Sequence, residues 1–278
     1  MIRSKETSFD RFFNNNEKGR EKMLKQQIQQ FISEQEGNVG VYIKNLKTAE
    51  EIRINEEKVF PSASTIKLTI MIEIFQQVKD GKLSLNKKIT LTEEMLTDGD
   101  GILKELALGH QFTIREIMTL MIILSDNMAT NILIDLLSME AINQNIADMG
   151  LKKTRLQRKM MDLKAAEEGR ENQITAREAG EIMQMIYAGK CVDQKASEEM
   201  LAILKKQQVS GRLDLYLPEE VVIAHKTGDL DCLEHDAGIV YLPENNYIIV
   251  VLTNEGKSNK EGREIIGKIS KMVYDEFK

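Results

Sequence analysis

The sequence predicts an α+β fold (α/β in the broad sense): an antiparallel sheet built from both chain ends and flanked by helices, plus an all-helical lobe. Three observations predict it. Strand-like runs lie near the start, at Gly40-Val41-Tyr42-Ile43 and Glu51-Ile52-Arg53-Ile54, and return only near the end, at 220–226, 236–242 and 246–253. The stretch between, 64 to about 207, is dominated by apolar residues at helical spacing. At 278 residues with 42% apolar content, the chain holds enough nonpolar surface for a large core.

Taken in order, residues 1–16 read as a polar N-terminal lead. Residues 17–36 read as an amphipathic helix with Leu24, Ile28, Phe31 and Ile32 on one face. After the first strand pair, 64–150 looks mainly helical and 151–175 mixed and loop-rich, with helices again from about 176 to 207. The three late strands precede a last helix, about 259–276, with Ile265, Ile266, Ile269, Met272 and Val273 at helical spacing. The expected organisation is one domain over 17–278. Its α/β lobe takes about 17–63 and 208–278, its helical lobe about 64–207, and a pocket lies between them.

Composition narrows the function. Net charge is −6, with 38 basic against 44 acidic residues and no basic stripe rich in aromatics, so no nucleic-acid partner is expected. No apolar run is long enough to span a membrane. Met1 to Thr7 lacks the apolar core of an export signal, which points to the cytoplasm unless such a signal has been trimmed away. Cys191 and Cys232 form no C-x-x-C pair, and with His110, His225 and His235 they make no metal-ligand spacing. Neither metal nor cofactor is implied, and a monomer is expected. Asp98-Gly99-Asp100-Gly101 reads as a glycine-rich turn rather than a calcium loop, because Ile-Leu-Lys-Glu follows it. The 15 methionines, with no tryptophan, read as pliable core filler.

Three short motifs carry the chemistry: Ser64-Thr65-Ile66-Lys67, Ser125-Asp126-Asn127 and Lys226-Thr227-Gly228. S-x-x-K alone is weak evidence, and Ser84-Leu85-Asn86-Lys87 fits it too, in a polar stretch that reads as a turn before a short strand. Ser64 differs: it opens the unbroken apolar run Ile66 to Phe75, as a residue at the start of a buried helix would. Its backbone N–H is then free, the helix dipole favours negative charge there, and Lys67 lies one turn along the same face, within reach of the Ser64 hydroxyl. Ser125-Asp126-Asn127 follows the apolar helix Thr113 to Leu124, either as a helix break with an N-cap or as the wall of a cleft. Lys226 follows Val221-Val222-Ile223-Ala224, at the end of a central strand or on an edge strand turning at Gly228.

S-x-x-K, then S-D-N, then K-T-G is the pattern of serine enzymes that acylate on β-lactams or peptidoglycan stems. From about Val39 to Val251 the chain resembles the class A β-lactamases and related penicillin-binding proteins, including Ser125-Asp126-Asn127-Met128-Ala129-Thr130-Asn131, Leu217-Pro218 and Asp236-Ala237-Gly238-Ile239-Val240. The resemblance implies a β-lactamase/DD-peptidase-like fold and an acyl-enzyme on Ser64, with a β-lactam or a related peptide or ester as small-molecule substrate. It implies Lys67 as base, Ser125 with Lys226 as proton route to the leaving group, and Asn127 on the substrate amide. Lys226 and Thr227 would hold the substrate carboxylate, beside Gly228. The N–H groups of Ser64 and Asp229 would form the oxyanion hole.

The sequence departs from the family where the acyl-enzyme would be hydrolysed. Class A enzymes place a glutamate two residues after an arginine, with a Leu-Asn pair shortly beyond. If Arg158 matches that arginine, Met160 stands at the glutamate and Lys164 at the asparagine. A thioether accepts no proton. Asp162 is the nearest substitute base, with Glu167, Glu168 and Glu171 further along. Asp229 is a second departure, since the family usually has a small neutral residue after K-T-G. A carboxylate there would repel an anionic substrate, while Arg212 and His235 are possible anion contacts. Three readings follow: a β-lactamase-like hydrolase with an altered base, a penicillin-binding, DD-peptidase-like or esterase protein that deacylates slowly, and a non-catalytic scaffold.

Overall fold

The computed structural model describes residues 8–278, with side chains from Gly19 onward except Glu21. The first helix, α1 (Ser8–Ser33), starts inside the stretch read from sequence as a polar lead, whose residues 1–7 lie outside the described part. Its first turns carry no Pro or Gly to stop a helix; Phe9, Phe12 and Phe13 fall at helical spacing in the sequence, a short signal that the polar run from Asn14 to Lys18 interrupts before the pattern resumes at Leu24.

Strands β1 (Asn38–Asn45) and β2 (Glu51–Ile54) form a hairpin. The late strands β7 (Val222–Leu230), β8 (Leu233–Tyr241) and β9 (Tyr247–Asn254) complete one antiparallel five-stranded sheet in the order β2-β1-β9-β8-β7. Joining β1 to β9 puts the two chain ends side by side, with Val41 opposite Val251. Both faces are covered. Ile249 and Val251 face Leu24 and Ile28 of α1 and Ile265, Ile269 and Val273 of the last helix, α9 (Asn259–Phe277). Ile248, Val250 and Leu252 face the helical lobe. A strand buried on both faces reads as an unbroken apolar run, as β9 does.

The helical lobe holds α2 (Lys67–Lys79), α3 (Ile114–Ile123), α4 (Asn127–Leu137), α5 (Met139–Asp148), the short α6 (Leu163–Glu167), α7 (Ala176–Tyr187) and α8 (Gln194–Leu204). Two three-residue strand pairs join parts of the chain: β3 (Val59–Pro61) with β6 (Gln173–Thr175), and β4 (Lys88–Thr90) with β5 (Gln111–Thr113). The second S-x-x-K match, Ser84 to Lys87, is the turn before β4, closed by Lys87 N–H on the Ser84 carbonyl at 3.0 Å. No helix among the described residues is long and apolar enough to cross a membrane.

Two local expectations are corrected. Ser64 does not open an α-helix directly: Ala63–Ile66 form a 3-10 turn and α2 begins at Lys67. Ala63 sits at φ +45°, a left-handed backbone unusual for alanine, so the chain makes a sharp, strained corner just before Ser64. The K-T-G residues neither end a central strand nor turn at Gly228. They lie inside β7, the edge strand, which runs on to Leu230.

Candidate active site

The open edge of β7 supplies one wall of the site. The turn bearing Ser64 packs so closely on it that a Cβ on Gly228 would sit 2.9 Å from Ser64 N, so only glycine fits. Glu234 is the register partner of Asp229 and directs its own N–H toward β9, onto Thr253 Oγ1 at 3.2 Å. In an antiparallel ladder that makes the pair non-hydrogen-bonded, so Asp229 turns its N–H out along the open edge. The backbone N–H groups of Ser64 and Asp229 thus flank one space.

Lys67 is fully buried. Its Nζ donates to Ser125 O at 2.5 Å and to Asn127 Oδ1 at 3.0 Å, and lies 3.2 Å from Ser125 Oγ. Burial drives its pKa well below that of a free lysine, with the nearby Lys226 charge pushing the same way. A neutral amine has two N–H donors, which the two carbonyl-type oxygens consume, and its lone pair stays available. The expected hydrogen bond to the half-buried Ser64 hydroxyl is not formed; Lys67 is turned toward Ser125.

Ser125 adopts φ +56°, in the bend between α3 and α4. The bend is held by Asp126, whose Oδ1 accepts from Ala129 N at 2.8 Å as the α4 N-cap. Its Oδ2 accepts from Ile102 N at 2.7 Å and Leu103 N at 2.9 Å, which pins the loop after Gly101. Gly101 is at φ +112°, and a Cβ there would meet the Asp126 carboxyl at 2.2 Å. Both sequence readings of the tripeptide therefore hold together, since the cap positions the wall. Lys226, fully buried on β7, donates to Ser125 Oγ at 3.1 Å and to Thr227 O at 2.8 Å. Burial lowers its pKa to about 7, against the opposing pull of Asp236.

The loop 155–172 closes the other side. Arg158 makes a two-pronged ion pair with Glu171, at 3.0 and 2.9 Å. Asn131 holds the backbone of Met160 from both sides, accepting its N–H at 2.8 Å and donating to its carbonyl at 3.1 Å. Met160 and Met161 thereby line the same cavity as Ser64, Asn127 and Asp229, a space of about 140 Å³. Asp162 does not line it. Its carboxylate caps α6, accepting from Ala165 N at 3.0 Å. Glu171 reaches the cavity but its carboxylate is spent on Arg158.

A second space of about 520 Å³ continues past Ser125 and Asp229. Arg212 lies along it, bonded to Asp229 at 2.8 Å and to Glu234 at 2.6 Å. His235 is buried between the carbonyls of Glu234 (2.7 Å) and Pro61 (2.8 Å), and burial lowers its pKa to about 4. It is a neutral structural residue outside the cleft. Sequence reading missed Asp100, which lines both spaces, and the Arg158–Glu171 clasp. The glycine-rich turn around Asp100 was its one visible signal.

The structure thus brings Ser64, Lys67, Ser125, Asn127, Lys226, Thr227, Gly228 and Asp229 to one cleft and leaves Asp162 at its outer rim. Comparisons with known proteins bear on the family and the fold. The model of the beta-lactamase enzyme family matches residues 22–277. The extended-spectrum beta-lactamase PER-1 of Pseudomonas aeruginosa is 26% identical over 272 residues, covering 91% of this chain and 86% of that protein. The solved structure of PBP-A is 30% identical with a TM-score of 0.84, covering 91% of this chain and 94% of that one. A leucine-to-glutamate variant of PBP-A has been solved as an acyl-enzyme complex with penicillin G. A beta-lactamase from Sphaerobacter thermophilus is also 30% identical, with a TM-score of 0.80 over 87% of this chain and 92% of that one. With nearly its whole length matched and the β-lactamase/DD-peptidase fold in place, the chain belongs to the beta-lactamase enzyme family, as a class A or penicillin-binding-protein-like serine hydrolase.

Proposed function

We infer that this enzyme forms an acyl-enzyme on Ser64 with β-lactams or related amides and esters, and that it releases the acyl group slowly. One observation carries the reading: the Ser125 hydroxyl is bracketed by two buried lysine amines, while the cavity that holds Ser64 presents a thioether on its other wall. In the acylation step, the Ser64 oxygen bonds to the substrate carbonyl carbon and its proton passes to the neutral Lys67 amine, which must first swing from Ser125 toward Ser64. The negative charge gathering on the carbonyl oxygen meets the N–H groups of Ser64 and Asp229. The Ser125 hydroxyl, accepting from Lys226, then gives its proton to the leaving nitrogen as the C–N bond breaks, and recovers one from the Lys67 ammonium. Atoms and charge balance without a cofactor.

Hydrolysis of the acyl-enzyme needs a base that activates water on the Met160 side. Met160 accepts no proton, Glu171 is held by Arg158, and Asp162 points into a helix cap. This favours the penicillin-binding reading over an efficient β-lactamase. The retained Ser64, Lys67, Ser125 and Lys226 argue against a silent scaffold. The test is the intact-protein mass followed over time with excess benzylpenicillin. A lasting adduct of one penicillin mass, absent in Ser64→Ala, is expected. Rapid loss of the adduct with accumulating hydrolysed drug would overturn slow release, and labelling that survives Ser64→Ala would overturn the nucleophile.

A further inference from the structure

We propose that Asp229 is a specificity-determining residue that neutralises Arg212, so that the cleft prefers substrates uncharged beside the scissile bond over substrates bearing a carboxylate there. The inference rests on the acyl-serine reading of Ser64 and adds to it the substrate class.

Four charged groups form a chain along the wall of the larger space: Arg263 to Glu234 at 2.9 Å, Glu234 to Arg212 at 2.6 Å, and Arg212 to Asp229 at 2.8 Å. Glu234 is fully buried and Arg212 nearly so, which places both in a medium where charge is weakly screened. Two guanidinium groups and two carboxylates sum to zero. Asp229 contributes the last negative charge, and it stands on the residue next to Gly228, on the side of the cleft shared with Ser125. Asp100, at the junction of the two spaces, adds a further carboxylate.

An anionic substrate group near Thr227 therefore meets a guanidinium whose Nε and Nη2 already donate to Glu234 and Asp229, together with two carboxylates. To bond Nη2 it must displace Asp229. The Lys226 amine beside Thr227, donating to Ser125 Oγ at 3.1 Å and Thr227 O at 2.8 Å, attracts the same anion in native and variant proteins alike and so cancels in their comparison. Lys260 is exposed at the outer rim, where water and salt screen it, and Glu264 accepts from the Tyr216 hydroxyl at 2.5 Å. An ester, amide or cationic group faces no such cost. Removing the Asp229 charge leaves the chain at net +1, with Arg212 open to the cleft.

The test uses one scaffold with and without its charge, benzylpenicillin and its methyl ester, and reads second-order acylation rates from intact-protein mass. Asp229→Asn is expected to raise the ratio of the benzylpenicillin rate to the methyl ester rate about tenfold, a difference of ~1.4 kcal/mol in barrier, whatever change the two rates share. Arg212→Ala in the Asp229→Asn background is expected to return that ratio to its native value. Equal effects on the two probes, or none, would overturn the inference while leaving Ser64 chemistry intact. Absence of an adduct with either probe in both proteins would overturn the acyl-serine reading, and this inference with it.

Discussion

Ser125 Oγ lies 3.2 Å from the Lys67 amine and 3.1 Å from the Lys226 amine, so one hydroxyl joins two buried nitrogens that belong to different lobes. With Lys226 donating to the oxygen, the Ser125 O–H is free to face the cleft, where a leaving nitrogen would sit. Ser125→Ala is expected to slow acylation by about 10²–10⁴, the usual worth of a positioned proton donor. Rapid-quench mass measurement gives the rate. A loss below about tenfold would remove Ser125 from the proton route. Melting should change little, since one small hydroxyl is lost.

Much of this site was legible in the sequence, because its chemistry needs a few residue types at set places on regular elements. Lys67 falls in a helix-like apolar run and Lys226 beside a strand-like one, and both lie on those elements. What escaped depends on contacts between distant parts of the chain. The pairing of Arg212 with Asp229 joins a loop to an edge strand, and no periodicity encodes it. The pairs β3–β6 and β4–β5 are three residues each, too short for alternation to show. The 3-10 turn at Ser64 follows from the left-handed Ala63, a backbone state that alanine does not advertise. Asp162 looked like a base only because its distance from Arg158 along the chain was visible and its role as the α6 cap was not.

The buried lysines make stability depend on pH. Lys226 titrates at about 7 in the folded protein and near 10.4 in an unfolded chain. Between those values the unfolded chain holds a proton that the folded one has released, so folding stability rises with pH across that window. Below about 7 both states are protonated and the burial cost is present in full; above about 10.4 it is gone. Lys226→Met removes this group, so the difference in urea midpoint between variant and native protein should shift in favour of the native protein from pH 7 to 10. A difference that stays flat over that range would show that Lys226 carries no depressed pKa.

Gly228→Ala tests the tight seat of the Ser64 turn. The added carbon would lie 2.9 Å from Ser64 N, 3.1 Å from Thr65 N and 3.2 Å from the Ala63 Cβ, two of them backbone atoms of a strained turn. The turn must move off β7, which separates the two N–H groups that flank the carbonyl site. Acylation is expected to fall by about 10² or more, the size of losing an oxyanion donor. Melting should drop by only a few degrees, because the change lies at a sheet edge outside the main cores. Unchanged acylation would mean that the turn relaxes freely and that its packing on Gly228 does not set the site.

Met160→Glu addresses the slow step directly. The backbone of Met160 is fixed by Asn131 on both sides, and its side chain shares the cavity with Ser64, so a carboxylate there would face the ester bond of an acyl-enzyme. Met160 is only 8% exposed, so burial would raise the pKa of the new carboxyl and destabilise the fold by ~1–3 kcal/mol. A raised pKa brings a general base closer to neutral pH, where it works best. The lifetime of the benzylpenicillin adduct should shorten by about tenfold or more, while the acylation rate, set on the Lys67 side, stays close to native. Asp162→Asn in the native background should leave the lifetime unchanged, since that carboxylate is occupied by the α6 N-cap. An adduct that outlasts the native one in Met160→Glu, or one prolonged by Asp162→Asn, would move the hydrolytic base away from the Met160 wall and onto the outer loop.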